Sequence, residues 1–334
     1  MLTLLTLTGL FTPAQAASIV HGDETSSLPQ VVVLYAADAD GYGYDFCSGT
    51  LIGPQVVVTA AHCVAAMEEN VDAGMPNLWV LSGDSIYVEN GVSEAVLATA
   101  WTAHPQYNDN TLTHDIGVIE LPASAFSFDV MPVNKTALNN VHIGREYRYV
   151  GWGITSDNAE DSGIKRFADI PMYDFDSYFQ YGADFDDGQN VCSGDSGGAV
   201  LEFHDLGWEL SAVNSFVQGS CVDGITGGTR IDTHLAWLEQ FTPVWSAEEL
   251  AAEQDDTEEP DDTEEPDDTE TPDDPEDTNL PDDPDDRDDA DDVLDEDQDG
   301  GHRIHWSCAT APPSVFWGAL GSLTLFARRR KTVR

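Results

Sequence analysis

The sequence predicts an all-β globular region, followed by an acidic tract with no means of folding alone and a short apolar tail. Three observations carry this reading. Over residues 19–245, β-branched and aromatic runs alternate with clusters of Gly, Pro, Asn and Asp, the pattern of short strands joined by turns. Helical periodicity is scarce there, with one clear segment at 234–241 that Asp232 or Thr233 could cap. From residue 253 the composition switches: residues 251–300 hold 28 of the 62 acidic residues, with few apolar groups to bury.

Taken in order, the chain opens on an apolar run, residues 2–11, followed by Thr12-Pro13-Ala14-Gln15-Ala16-Ala17-Ser18 with its small residues. That is the layout of an export signal with its cleavage site, and the run is too short for a permanent bilayer span. Two cleavage sites fit, after Ala14-Gln15-Ala16 or after Ala16-Ala17-Ser18, and the second would leave Ile19 as the new N-terminus. The strongest strand candidates follow at 31–35, 56–58, 79–81, 116–121 and 147–150. Some 225 residues of this kind make one β domain or two small barrels.

The 334-residue chain has a formal charge of −49. At that charge the chain should repel nucleic acid, and none is expected as a partner. Five cysteines stand at Cys47, Cys63, Cys192, Cys221 and Cys308. Four in the globular region and one near the C-terminus predict two disulfides and one cysteine with a separate task, in an exported protein.

Three stretches carry chemistry. Ser196 lies in Gly194-Asp195-Ser196-Gly197-Gly198, where glycines let backbone N–H groups converge on one point. His62 follows an apolar strand in Thr59-Ala60-Ala61-His62-Cys63, and Asp115 opens another in Asp115-Ile116-Gly117-Val118. Histidine, aspartate and serine are the groups acyl transfer needs. A serine hydroxyl is a weak nucleophile until a base takes its proton, and a carboxylate behind the imidazole fixes the tautomer of that base.

With Ile19-Val20-His21-Gly22, Gly151-Trp152-Gly153 and Asn214-Ser215-Phe216 added, the region 19–241 resembles the chymotrypsin/trypsin-type serine proteases. The resemblance implies two six-stranded antiparallel Greek-key barrels with a C-terminal helix and a cleft between the barrels. It implies His62 as general base, Asp115 as orienting carboxylate and Ser196 as nucleophile. Gly194 and Ser196 would supply the oxyanion-hole N–H groups, with Ser215 beside Asp115. It pairs Cys47 with Cys63 and Cys192 with Cys221. Asp195 would pair with the ammonium of Ile19 once that residue is freed. Asn190 would floor the substrate pocket, with Ser215, Phe216 and Val217 along one wall. Asparagine in place of aspartate at that floor disfavours Arg and Lys, and the branched Val217 narrows the entry, so small or medium uncharged side chains are expected. His21, His104 and His114 are expected to be structural or solvent-facing.

The expected organisation is a signal peptide at 1–18, the protease-like domain at 19–246, an acidic spacer at 247–307 and a sorting or anchor segment at 308–334. The hexapeptide at 255–260 recurs at 261–266, and prolines and self-repulsion should extend the tract. Asp295, Asp297 and Asp299 match the front of a calcium loop, but Trp306 stands where its glutamate belongs, so calcium binding would be weak and no other cofactor is expected. Cys308, an apolar segment and the cluster Arg328-Arg329-Arg330-Lys331 resemble bacterial C-terminal sorting signals of the MYXO-CTERM kind. The reading is a monomeric serine endopeptidase, secreted or attached to the cell surface through its tail. Its partners would be protein or peptide substrates and the export and sorting machinery. The alternative is a catalytically silent protease-like module that binds at the surface.

Overall fold

The computed structural model describes residues 19–123 and 125–255. Two antiparallel sheets account for it. The first is built from β2 (Val31–Ala37), β3 (Gly43–Gly53), β4 (Val56–Thr59), β5 (Asn77–Gly83), β6 (Val92–Leu97), β7 (Ala100–Ala103) and β8 (Gly117–Glu120), in the order β6-β5-β2-β3-β4-β8-β7. The second takes β1 (Asp23–Glu24), β9 (Glu146–Gly151), β10 (Arg166–Phe175), β11 (Phe179–Gly182), β12 (Ala199–His204), β13 (Gly207–Gln218) and β14 (Ile225–Arg230). There β9 pairs with both β10 and β12, which closes β9 to β14 into a six-stranded barrel and leaves β1 as a two-residue addition to β10.

The two-barrel, all-β expectation is met, with one refinement. By strand pairing the first sheet is a half-barrel of seven strands. Its ends meet where the chain bends between β6 and β7. The N–H of Ala98 donates to Leu78 O on β5, and that of Thr99 donates to Glu120 O on β8. One bent strand thus serves both edges, a usual way of turning a barrel corner.

Hydrophobic burial follows the strand runs read from the sequence. The Val31-Val32-Val33-Leu34 stretch of β2 is buried on both faces because β3 and β5 flank it and the sheet curls over it. The core extends from these valines through Val57, Val118 and Ile119 to Ala199, Leu210 and Val213 of the second barrel.

Three helices differ from expectation. The α1 helix (Ala61–Asp72) lies where no helical segment was read. Ala60 gives no side-chain cap, so the usual start signal is missing, and packing of Ala61, Val64 and Met67 sustains it instead. The expected C-terminal helix shrinks to α2 (Leu235–Leu238), capped by His234 without a side-chain bond rather than by Asp232 or Thr233. Asp232 is engaged instead by Arg230, so it is not free to cap; the shortfall itself lies at the C-terminal end, where the segment stops at Leu238 instead of 241. Past residue 246, α3 (Ala247–Asp255) continues the fold, anchored by Ala247 N–H donating to Glu209 Oε1 at 2.6 Å. The signal segment, the acidic repeats, Asp295, Asp297, Asp299 and Cys308 lie outside the described residues.

Candidate active site

Antiparallel pairing of β4 with β8 sets Thr59 opposite Gly117. The exit of β4 and the entry of β8 therefore lie side by side, and the next residues outward are the first turn of α1 and Asp115. The Cys47–Cys63 disulfide holds that turn to β3. Asp115 is fully buried. Its Oδ1 accepts the backbone N–H of His62 at 2.9 Å, and its Oδ2 accepts the imidazole Nδ1–H at 2.7 Å. Ser215, on β13 of the other barrel, donates its hydroxyl to the same Oδ2 at 2.5 Å. Three donors converge on this one carboxylate in a dry site and leave the imidazole little freedom.

Two opposed effects act on the His62 imidazole. Burial disfavours its charged form. The charge and hydrogen bond of Asp115 outweigh this, with a lesser contribution from Asp109, and the net shift is upward. The ring keeps 27 % of its surface exposed, so a substrate can reach it.

The glycine-rich loop crosses from the second barrel. Ser196 O accepts Ser48 N–H at 2.8 Å and lies 3.6 Å from Cys63 Sγ, which sets the loop against the turn bearing His62. Among the described residues, the Ser196 hydroxyl makes no hydrogen bond with the imidazole; such contacts often tighten only when substrate binds. Gly194 has φ +96°, and a Cβ there would come within 2.8 Å of Gly153 Cα. The backbone N–H groups of Gly194 and Ser196 have no acceptor among the described residues, while those of Asp195, Gly197 and Gly198 do. Two free N–H groups on one tight turn are a ready cradle for an oxyanion.

Asp195 is also fully buried. Among the described residues it accepts only backbone donors, Gly153 N–H at 2.7 Å and Cys192 N–H at 2.8 Å. Burial raises its pKa to about 7, against those two bonds and the nearby charge of Arg166. Cβ atoms at Gly151 or Gly153 would strike Asp195, which accounts for the Gly-Trp-Gly motif. Ile19 is wholly buried beside Val191, and Val20 forms a β-bridge with Asn190.

Asn190 is buried, with its Oδ1 turned to Val191 N–H and its Nδ2 unpartnered among the described residues. A Cβ on Gly224 would lie 3.0 Å from that Nδ2 and 2.7 Å from Val217 Cγ1, so the three positions converge. Residue Thr226, facing Val217 across the β13–β14 ladder, was missed by sequence reasoning. The glycine-rich 223–230 stretch admits more than one alignment, and its pairing with β13 fixes the register. The Cys192–Cys221 disulfide ties the nucleophile loop to this wall.

The histidines outside this site divide. His21 is exposed, its ring bonded to Asp187 O at 2.7 Å. His104 and His114 were expected to be structural or solvent-facing. They stack at 4.8 Å, and His234 stands edge-on to both. Burial, with the neighbouring His234 and His114, pulls His104 down to about 4, and burial lowers His234 as well.

The sequence matches the model of the family described as Trypsin over residues 19–238. Among curated proteins it is similar to brachyurin of Leptuca pugilator, 29% identical over 60% of this chain and 88% of that one. Cationic trypsin-3 of Rattus norvegicus is 28% identical over 65% of this chain and 85% of its own length. The trypsin of Saccharopolyspora erythraea is 25% identical over 63% and 91%.

Proposed function

Because this chain belongs to the trypsin family of serine endopeptidases, we propose that His62, Asp115 and Ser196 are its catalytic residues, in an exported enzyme that cleaves after small or medium uncharged side chains. The hydroxyl of Ser196 attacks the peptide carbonyl while His62 Nε2 takes its proton. The oxyanion is received by the N–H groups of Gly194 and Ser196. As the tetrahedral intermediate collapses, His62 returns the proton to the leaving amine. Water repeats the sequence on the acyl-enzyme. Asp115 keeps the imidazole in the tautomer with Nδ1 protonated and stabilises the imidazolium. The observation that carries this reading is the triple engagement of buried Asp115 by His62 N–H, His62 Nδ1 and Ser215.

Val217 and Thr226 face each other near the pocket floor, and Asn190 brings no negative charge to attract Arg or Lys. Two disulfides suit an oxidising compartment. Export removes the leader, exposure of the Ile19 ammonium beside Asp195 completes the oxyanion hole, and the C-terminal tail attaches or sorts the product. A fluorophosphonate probe should label the mature enzyme, and Ser196→Ala should abolish labelling. Persistent labelling of that variant defeats the assignment. N-terminal sequencing tests the activation step: an active enzyme that begins at Ala17 rules it out.

A further inference from the structure

We propose that His104, His114 and His234 form a binding site for a divalent transition-metal ion, Zn²⁺ by its donor set, and that the ion slows the enzyme by pulling on the bend that carries Asp115. The coupling rests on Asp115 acting as proposed above; the site itself does not.

Each histidine offers one ring nitrogen, and the three nitrogens lie within 4.8 Å of one another. The closest pair, His114 Nδ1 and His234 Nε2, is 3.0 Å apart. A four-coordinate Zn²⁺ with bonds of about 2.0–2.1 Å sets its ligands about 3.4 Å apart, so ring rotations of about an ångström gather the three. Three imidazoles without a carboxylate favour a borderline metal such as zinc over calcium or magnesium. The fourth position falls to water.

The surroundings suit ligation. His234 Nδ1 donates to Arg230 O at 2.7 Å, which turns the Nε2 lone pair toward the cluster. His114 is half-buried, so its proton can move to the other ring nitrogen. His104 Nδ1 accepts a long contact of 3.2 Å from Gln106 N–H, little to surrender if the ring ligates through Nε2. The Arg230 guanidinium is already neutralised by both oxygens of Asp232 and does not repel a cation unopposed. Without a metal, three imidazoles in a largely buried cluster share one mutual hydrogen bond, and apolar side chains would fill the volume at less cost.

The route to the active site is short. His114 precedes Asp115 at a strained φ of +55°, with Leu112 at +54° just before. Ile116 N–H donates to His114 O at 2.8 Å across that bend, and His104 N–H donates to Ile116 O at 2.9 Å. Drawing the His114 ring toward its partners loads the peptide that holds Asp115 against His62.

The test uses the full exported chain in millimolar Ca²⁺, which occupies the carboxylates of the acidic tract. Zinc is titrated calorimetrically into Ser196→Ala, which neither autolyses nor depends on activity. One saturable equivalent is expected, and His114→Gln and His234→Gln should each weaken it by at least about tenfold. Co²⁺ in the unsubstituted chain gives a variant-free reading: intense four-coordinate visible bands that zinc bleaches. In the active enzyme, saturating zinc should lower kcat several-fold with little change in KM, and His114→Gln should resist this relative to its own zinc-free rate. The site is overturned by the lack of a saturable equivalent, or by equal binding in both variants, which would place the ion elsewhere, as on His62. Binding that needs the histidines but leaves kcat unchanged overturns the coupling. Failure of fluorophosphonate labelling would instead sink the catalytic reading and leave the binding result standing.

Discussion

Asp115 and Asp195 are both wholly buried carboxylates within reach of the same loop, and they are not alike. Asp115 has a side-chain donor on each flank, an imidazole that can share positive charge and a serine hydroxyl from the opposite barrel. Asp195 has two backbone N–H groups and a more distant arginine, and its pKa stands at about 7. Burial costs both the same kind of desolvation. One carboxylate meets that cost within the chain as it stands. The other is left short by about one cation, which the freed ammonium of Ile19 would supply. On the proposed reading, Asp195, short of one cation, is the activation switch, and Asp115, fully hydrogen-bonded, serves catalysis.

The largest effect should come from the complete site. Asp115→Asn keeps the shape but lets His62 adopt the wrong tautomer, and kcat should fall on the order of ten thousandfold. Steady-state kinetics on a peptide ester would check this, with circular dichroism confirming the fold. A loss of only a few-fold would mean that Asp115 is no more important than Asp195 to the chemistry.

Next in size is the stability of the chain before Ile19 is freed. The pKa of Asp195 is raised in the folded state, from an ordinary 3.8 to about 7. A raised pKa means the folded state binds the proton more tightly. The associated stability is therefore fully present below about pH 4 and is lost as pH rises through about 7. Three units correspond to roughly 4 kcal/mol as an order of magnitude. Urea unfolding of an uncleaved Ser196→Ala chain should show this decline, and Asp195→Asn should flatten it. Cleavage before Ile19 should restore stability at pH 8. Identical profiles for the aspartate and asparagine chains would remove the contrast between the two carboxylates.

These two residues also show what the linear chain discloses. Both lie in short motifs whose residue types announce the chemistry, but only Asp115 sits beside strands legible from β-branched runs, Val56-Val57-Val58 and Ile116-Gly117-Val118; β12, after Asp195, went unread. The elements that went unread are those that packing decides. The α1 helix starts after an alanine that offers no cap. The α2 helix is capped by His234 and not by Asp232, which is drawn to Arg230. Thr226 is hidden in a glycine-rich stretch where only the ladder with β13 sets the register. His104, His114 and His234 span 130 positions, and no local pattern reveals that their rings meet. Short-range signals identify a reactive group; long-range register decides its company.

A smaller effect is expected in the pocket. Val217→Gly removes a branched side chain beside Asn190 and opposite Thr226. Preference among uncharged substrates should move toward larger side chains by about 10–200-fold in kcat/KM, the scale of a lost methylene or two in a binding slot. A peptide-library profile of both enzymes would show it. A parent profile dominated by Arg or Lys would refute the assigned preference.

The smallest effect returns to the complete site, through its outermost member. Acyl transfer needs neutral His62, so activity should rise with pH along an acid limb set by that imidazole. Its pKa lies above the ordinary 6.5 because Asp115 outweighs burial and Asp109 adds to Asp115. The limb should therefore fall above pH 6.5. Asp109→Asn deletes an exposed contributor that water and salt already screen. It should move the limb slightly to lower pH at low ionic strength and leave it in place at high salt. Asp195→Asn would be expected to damage the oxyanion hole and lower the plateau, without the same salt-sensitive displacement of the limb. A limb that answers to Asp195 and ignores Asp109 would mean that the limb does not belong to His62 in the surroundings described.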